Sequence, residues 1–391
     1  MVDKELCTSC TACYSICPLK CISMEADEFG FMYPQKGEKC INCGKCDQVC
    51  PRNNPVQMAD VIEQRAYAAL TKDKYLWKKS ASGGAFSEIC ECWGDDKTIL
   101  CGAAWDGLEV KHVCVERKEL PRLCKSKYVA SNLGDTFDEI KKYLSEGRWV
   151  VFSGLPCQVA GLKAFLGKNY TKLLLIDLIC HGVGSPRVFE ESIELARKQL
   201  GVDKKVVGFS FRVKEKTYHQ DHIEALVLDD GERILVENDP YIQLFCRQDC
   251  LRESCGKNCI YRNKSRQGDI TIGDFKQLSK VFPALRGRKY NYSTIVFNSE
   301  KSFEILPQLS TRMEMYECPI NSIEQYNPLF SRQSFFSENR NEFFKQYHEE
   351  GSLALKKWTK PVRRYRVSFK GRLYSVLPEK IRTIIRKKVN N

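Results

Sequence analysis

Residues 7–18, CTSCTACYSICP, and residues 40–51, CINCGKCDQVCP, decide the fold of the N-terminal part of the chain. Each is a complete C-x2-C-x2-C-x3-C-P run: Cys7, Cys10, Cys13 and Cys17 before Pro18, then Cys40, Cys43, Cys46 and Cys50 before Pro51. A 4Fe-4S cube needs four thiolates around a compact group, and two-residue gaps let three of them wrap one face. Thr8, Ser9, Thr11, Ala12, Asn42 and Gly44 are small enough to keep the backbone close. Zinc also accepts four thiolates, but its sites usually present paired C-x2-C knuckles, not triple runs ending in Cys-Pro.

This is the pattern of a bacterial-type ferredoxin with two 4Fe-4S clusters, in which the fourth cysteine of each run ligates the other cluster. Cys7, Cys10, Cys13 and Cys50 are therefore expected around one cluster, and Cys40, Cys43, Cys46 and Cys17 around the second. The segment between the runs, residues 21–40, has the apolar and turn residues of a short hairpin. Cys21 stands outside both runs and reads as a packing thiol.

Working outward, 391 residues with 43% apolar content suffice for a ferredoxin-sized module and a larger core. Clustered thiols among 21 cysteines point to ligation in a reducing compartment, not to a disulfide framework. No run of about eighteen apolar residues occurs, and MVDKELCTSC lacks the regions of a signal peptide, so a soluble, cytoplasmic protein is expected. The net charge of +13 is uneven, because residues 356–388 hold thirteen Lys/Arg against Glu379. The rest is nearly neutral, which disfavours nucleic acid as a partner.

The pattern divides the chain into a ferredoxin domain (1–55), a polar linker (56–64), a core (65–280), its C-terminal part (281–355) and a basic tail (356–391). In the core, strand-like RAYAALTKD, TILCGAAWD, HVCVE, WVVFSG and LLLIDLICHG alternate with helical SASGGAFSEICECW, DTFDEIKKYLSEG, LPCQVAGLKAFLG and SPRVFEESIELARKQLG. VVGFSFRVK and HIEALVLDDGERILVE predict antiparallel strands with a DDG turn, before a cysteine-rich loop at 246–259 that interrupts the sheet. The fold class is α+β: a small ferredoxin domain, then a larger mixed α/β core and the tail.

Six segments, SASGGAFSEI (80–89), CGAAWD (101–106), KSKYVAS (125–131), FSGLPCQVAGLKAFLG (152–167), IDLICHGVGSP (176–186) and GDITIGDF (268–275), together resemble the coenzyme F420 hydrogenase/dehydrogenase beta subunit family, in the family's order. The resemblance covers about residues 65–275. It implies a flavin-binding core, with FAD as the expected cofactor, that passes electrons between iron-sulfur clusters and a second redox partner.

Each segment also has a physical reading. Ser82, Gly83 and Gly84 at a helix start offer backbone N–H groups to a phosphate, or simply make a turn. Ser126, Lys127 and Tyr128 supply a hydroxyl, a charge and a ring, or a solvated patch. Gly154, Pro156 and Gln158 flank Cys157 where a buried strand gives way to a helix, the usual ligand position in α/β sheets. Cys180 and His181 end the next strand, so the two strand ends could face one cavity. Asp274 follows a strand and resembles a position near the flavin; otherwise it caps a turn.

Cys246, Cys250, Cys255 and Cys259 are hard to explain as packing in a polar loop, and a third 4Fe-4S cluster is their natural use, with structural zinc as the competitor. The family carries an additional cluster in its core, so the expected ligands are Cys250, Cys255 and Cys259 with Cys157 or Cys180, and Cys246 last. Cys90, Cys92, Cys101, Cys114 and Cys124 read as small buried hydrophobes.

The tail interleaves Lys/Arg with Trp358, Tyr365, Phe369 and Tyr374 and groups Ile381, Ile384 and Ile385, a pattern suited to an anionic membrane surface, with nucleic acid or an acidic partner protein next and a merely solvated tail as the competing reading. The expectation is an iron-sulfur flavoprotein oxidoreductase with a redox partner protein or a small-molecule acceptor. An electron-transfer subunit without a substrate site and a saccharide-modifying enzyme with structural clusters are the alternatives.

Overall fold

The computed structural model describes residues 1–56, 63–214, 223–256, 259–288, 290–331 and 337–366, with seven single positions beyond. Residues 57–62 of the expected linker, and Phe369 and Tyr374 of the tail, lie outside the described residues. No described helix is long and apolar enough to cross a membrane.

In the N-terminal domain, strands β1 (Ile22–Ala26) and β2 (Met32–Lys36) form the expected antiparallel hairpin. The Asp27 carboxylate accepts from the backbone N–H groups of Phe29 and Phe31 and so fixes its turn. Each cysteine run folds into a short helix, Ala12–Ile16 and Lys45–Gln48, entered through a left-handed residue. Gly44 adopts this conformation without strain at φ 74°, whereas Thr11 at φ 62° does so against its Cβ.

The core is built on a nine-stranded mixed sheet. Its strands are β3 (Arg65–Thr71), β4 (Ile99–Asp106), β5 (Glu109–Glu116), β6 (Ser131–Asn132), β7 (Val150–Gly154), β8 (Leu173–Leu178), β12 (Ile270–Asp274), β13 (Ser293–Phe297) and β14 (Met313–Cys318). Strands β9 (Val206–Ser210), β10 (Glu224–Leu228), β11 (Arg233–Glu237) and β15 (Arg363–Arg364) make a separate antiparallel sheet. The large sheet runs β14-β3-β13-β12-β8-β7-β4-β5-β6. Strands β4, β7, β8 and β12 are mutually parallel, so the carboxyl ends of β7, β8 and β12 open on one edge.

Strands buried on both faces read as unbroken apolar runs, and β7 and β8 show why. Val150, Phe152, Leu173 and Leu175 pack under the helices Thr136–Ser145 and Pro156–Leu166. Val151, Leu174 and Ile176 pack on the other face against the helix Ala85–Cys92. The helix Pro186–Gln199 starts as its sequence predicts, with the Ser185 hydroxyl accepting from Val188 N–H.

The structure corrects three expectations and adds a central strand. The segment 246–259 does not interrupt one sheet but leads from the small sheet back to the large one, and Cys246 sits on the helix Pro240–Arg247. Residues beyond 281, whose pattern is mixed, supply β13, which lies between β3 and β12 near the middle of the sheet. Cys101 and Cys114 are not separate hydrophobes: they face each other across β4 and β5 and are joined in a disulfide. The start of the tail is integral to the fold, because Trp358 packs on Phe343 and donates to Gln346, and β15 pairs with β11. Ile381 and Ile384 are exposed.

The ferredoxin domain is seated firmly on the core. Phe29 packs on Phe344 of the helix Arg340–Glu350 with 4.4 Å between centroids, and Phe31 is 2% exposed. Burying one such ring contributes roughly 2–3 kcal/mol. On the other side, a Cβ at Gly161 would meet Cys10 Cβ at 2.7 Å, so the helix Pro156–Leu166 meets the first cysteine run at a residue without a side chain.

Candidate functional site

Two cavities in the ferredoxin domain gather the eight motif cysteines. One is lined by Cys7, Cys10, Cys13 and Cys50, and also touches Cys46. The other is lined by Cys17, Cys40, Cys43 and Cys46. Each draws its last thiol from the opposite run, as the crossed arrangement requires. Cys21 does more than pack, since it lines the second cavity with its Sγ 3.5 Å from that of Cys17.

A third cavity lies where the core meets this domain. Cys157, at the start of the helix Pro156–Leu166, Cys180, just past β8, and Cys255 and Cys259 line it together. Thr8 of the first cysteine run and Leu155, Pro156 and Tyr261 complete much of its wall. Burial pushes the thiols of Cys157, Cys180 and Cys255 up, so holding them as thiolates requires strong positive charge. Arg252, Arg262 and Arg266 line the same cavity.

The arrangement of β8 builds this wall. Asp177, fully buried, accepts from Gln267 N–H, Gly268 N–H, the Thr271 hydroxyl and Arg266. That carboxylate ties the segment after Cys259 to the strand that delivers Cys180. A buried charge with this many donors is satisfied, and losing it would leave Arg266 uncompensated.

Cys250 is not at this cavity. It is fully buried in the hydrophobic core beside Tyr241, Leu244 and Leu251, because the turn after the helix Pro240–Arg247 points it inward, whereas Cys255 and Cys259 reach the cavity wall. His181 also turns from the cavity, and its Nε2–H donates to the Phe245 carbonyl at 2.9 Å.

The residues expected around a flavin separate into two groups. Ser82, Ser126, Tyr128 and Asp274 cluster around Arg212, which pairs with Asp274 at 2.8 Å, while the Ser82 hydroxyl donates to the Tyr292 carbonyl. Burial pushes the Asp274 carboxyl up, but Arg212 and Lys276 outweigh it and hold the carboxyl below its usual range. Arg212 itself is left-handed, at φ 55°. Lys214 sits 4.1 Å from the Trp77 ring centroid and donates to the carbonyls of Trp77 and Ser82. Burial, aided by Arg212, pushes it down to about 7. Arg212 and Lys214 carry no signal in the sequence, because both lie in a strand-like segment where a cation looks like a solvated face.

The second group serves the fold. Gly83 N–H is taken by the Ser293 hydroxyl at 2.9 Å, and a Cβ there would strike Ser293 N at 2.5 Å. Gly84 is the left-handed cap of its helix at φ 93°. These glycines allow the helix to sit on β3 and β13, and the Gly83 N–H is already engaged and not offered to a phosphate. Lys127 is turned back onto the carbonyls of Leu123, Cys124 and Lys125, where burial pushes it down to about 8. Gln158 caps its own helix: its Oε1 accepts from Leu155 N–H at 2.8 Å and its amide donates to Ser131. Gly154 gives that Oε1 room, and Pro156 opens the helix at its first turn.

Known proteins match in two parts. Residues 6–54 match the 4Fe-4S dicluster domain, and residues 147–322 match the family described as the C terminus of the coenzyme F420 hydrogenase/dehydrogenase beta subunit. An uncharacterized ferredoxin of Methanocaldococcus jannaschii is 40% identical over 53 residues, 14% of this chain and 69% of that protein. Subunit alpha 1 of the acetyl-CoA decarbonylase/synthase complex of Methanosarcina mazei is 33% identical over 87 residues, 21% of this chain and only 10% of its own length. A chain of the F420-reducing [NiFe] hydrogenase complex from Methanosarcina barkeri aligns over 76% of this chain and 96% of its own, at 15% identity and a TM-score of 0.46. The chain is an iron-sulfur electron-transfer protein that carries a 4Fe-4S dicluster ferredoxin domain at its N-terminus and is related, through residues 147–322, to the coenzyme F420 hydrogenase/dehydrogenase beta subunit family.

Proposed function

We propose that the protein is an iron-sulfur flavoprotein oxidoreductase that passes electrons between its ferredoxin clusters, a third 4Fe-4S cluster and a core-bound flavin. The observation that carries this reading is the third cavity, where four thiols from three separate segments meet at a wall that includes Thr8 of the ferredoxin domain. The residues fit an anionic cluster. Four thiolates need compensation, and three arginines line the cavity while only Arg266 is paired with a carboxylate among the described residues.

For the flavin, Ser82, Ser126, Tyr128 and Asp274 with Arg212 and Lys214 are the residues that would hold it. A bound flavin supplies the conversion between one-electron and two-electron chemistry. The chain's own part is electrostatic. Lys214, depressed to about 7, can hold or release a proton near neutrality beside the Ser82 carbonyl. Arg212 keeps Asp274 ionised. An anionic group brought close would keep Lys214 protonated.

Anaerobic reconstitution of the full chain tests the reading. We expect about twelve irons per chain, from three cubes of four, and one flavin that D274N weakens. About eight irons without flavin would overturn it and leave an electron-transfer subunit.

A further inference from the structure

We propose that Arg252 is a positioning residue shared by two clusters, a buried cation whose counter-charge is the net negative charge of the thiolate-ligated cluster on either side of it. The inference rests on the core-cluster reading above. Arg252 is 2% exposed and makes no salt bridge with a carboxylate among the described residues. Its guanidinium donates to the Met32 carbonyl at 3.2 and 3.3 Å, and is held between the rings of Phe31 and Tyr33, 4.8 and 4.7 Å from their centroids. A carbonyl and two rings orient the group but carry no net negative charge, and a buried charge without a counter-ion is strongly unfavourable.

The candidates for that counter-charge lie on either side. Arg252 lines the cavity of Cys157, Cys180, Cys255 and Cys259, and its backbone carbonyl accepts from Cys255 N–H. Cys7, from the other cluster's set, packs in the same hydrophobic core as Phe31 and Tyr33. Thr8, the residue after Cys7, lines the core cavity together with Arg252. The neighbouring Arg340, by contrast, has a carboxylate partner in Glu253. Arg262 provides a contrast: it also lines the core cavity and bears on Cys180, but its bond runs to the His181 carbonyl, within the core.

A cation stabilises the reduced, more negative state of a cluster, so deleting it makes that cluster harder to reduce. The test is an EPR-monitored potentiometric titration of reconstituted full-length protein. R252M keeps an unbranched chain between the two rings without the charge. It should lower the potentials of the core cluster and of the Cys7 cluster, each by about 59 mV or more, a tenfold change in a one-electron equilibrium, and leave the Cys17 cluster where it is. R262M should move the core cluster alone, and R252K should restore both potentials most of the way. Signals are assigned with C255S and C46S. If R252M moves neither potential, or moves all three alike, the inference is wrong. Should R252M lose iron, R252K carries the test, since a retained charge that leaves either potential as low as charge deletion predicts also refutes it. Wild-type protein with two clusters and no third signal would instead refute the core-cluster reading.

Discussion

The ferredoxin domain and the core cavity ask for the same chemistry, four thiolates around an iron-sulfur cube, and obtain it by opposite routes. In the ferredoxin, three thiols of each set fall within seven residues, and a helix of four or five residues does the folding. In the core, Cys157, Cys180 and Cys255 are separated by more than twenty residues, and a nine-stranded sheet must form before they meet. Local ligation survives local changes and is lost with its own cysteines. Assembled ligation depends on the whole domain, so its weak points include residues that never touch iron.

The sharpest way to break that contrast is to remove ligands. C157S should cost about a third of the iron, roughly four atoms per chain, and leave the ferredoxin signals intact by EPR. C250S, which alters a thiol buried away from the cavity, should keep all of it, with a stability loss at most. If iron falls equally in both, the cavity is not the binding site. D177N tests the indirect dependence: it removes the anion that holds Arg266, Gln267 and Gly268 in place, and should cost about 3–5 kcal/mol and the core iron with it, read by denaturant titration alongside iron analysis.

The next test sets the two regions apart by pH. The ferredoxin domain has no histidine, whereas the core buries His112 against Phe152, 5.7 Å between rings, and burial pushes it down to about 4. The unfolded chain takes up a proton near 6.5, and the folded one does not until about pH 4. Between those values the unfolded state binds more protons, so stability falls as pH falls, by roughly 3 kcal/mol over the window. His181, also depressed by burial, adds in the same sense. Hydrogen exchange should therefore show protection lost from the core on acidification from pH 6.5 to 4, and H112L should remove a large share of that loss. Equal loss in the ferredoxin domain would break the contrast.

The same difference explains what could be read from the sequence. Both cysteine runs, the hairpin between them and the strands β3, β4, β7 and β8 are legible because each is fixed by neighbours in sequence: motif spacing, or a continuous apolar run. Cys157 and Cys180 could be suspected from their place after buried strands. The choice between Cys250 and Cys255 could not, since it depends on which way the chain turns after Gln248, left-handed at φ 70°. Arg252 and Arg262 look like ordinary surface cations until their burial is known. The glycines at 83 and 84 mislead for a related reason: a turn that admits a phosphate and a turn that admits another strand need the same residue.

Gln158 is the smallest test, and it separates site from scaffold within the core itself. Its position, one residue after Cys157, invites a role in cofactor binding, yet both ends of its amide are engaged in holding the helix start to Leu155 and Ser131. Losing such a cap costs about 1 kcal/mol. Q158A should therefore lower the denaturation midpoint modestly while iron and flavin content stay at wild-type values. Q158E keeps an acceptor for Leu155 N–H and adds negative charge at the helix N-terminus, where it is favourable, so it should recover most of the loss. A drop in bound cofactor at unchanged stability would return Gln158 to the site. The expected result would show that even here, one residue from a candidate ligand, the core obtains its geometry from helix and sheet and not from side chains reserved for the cofactor.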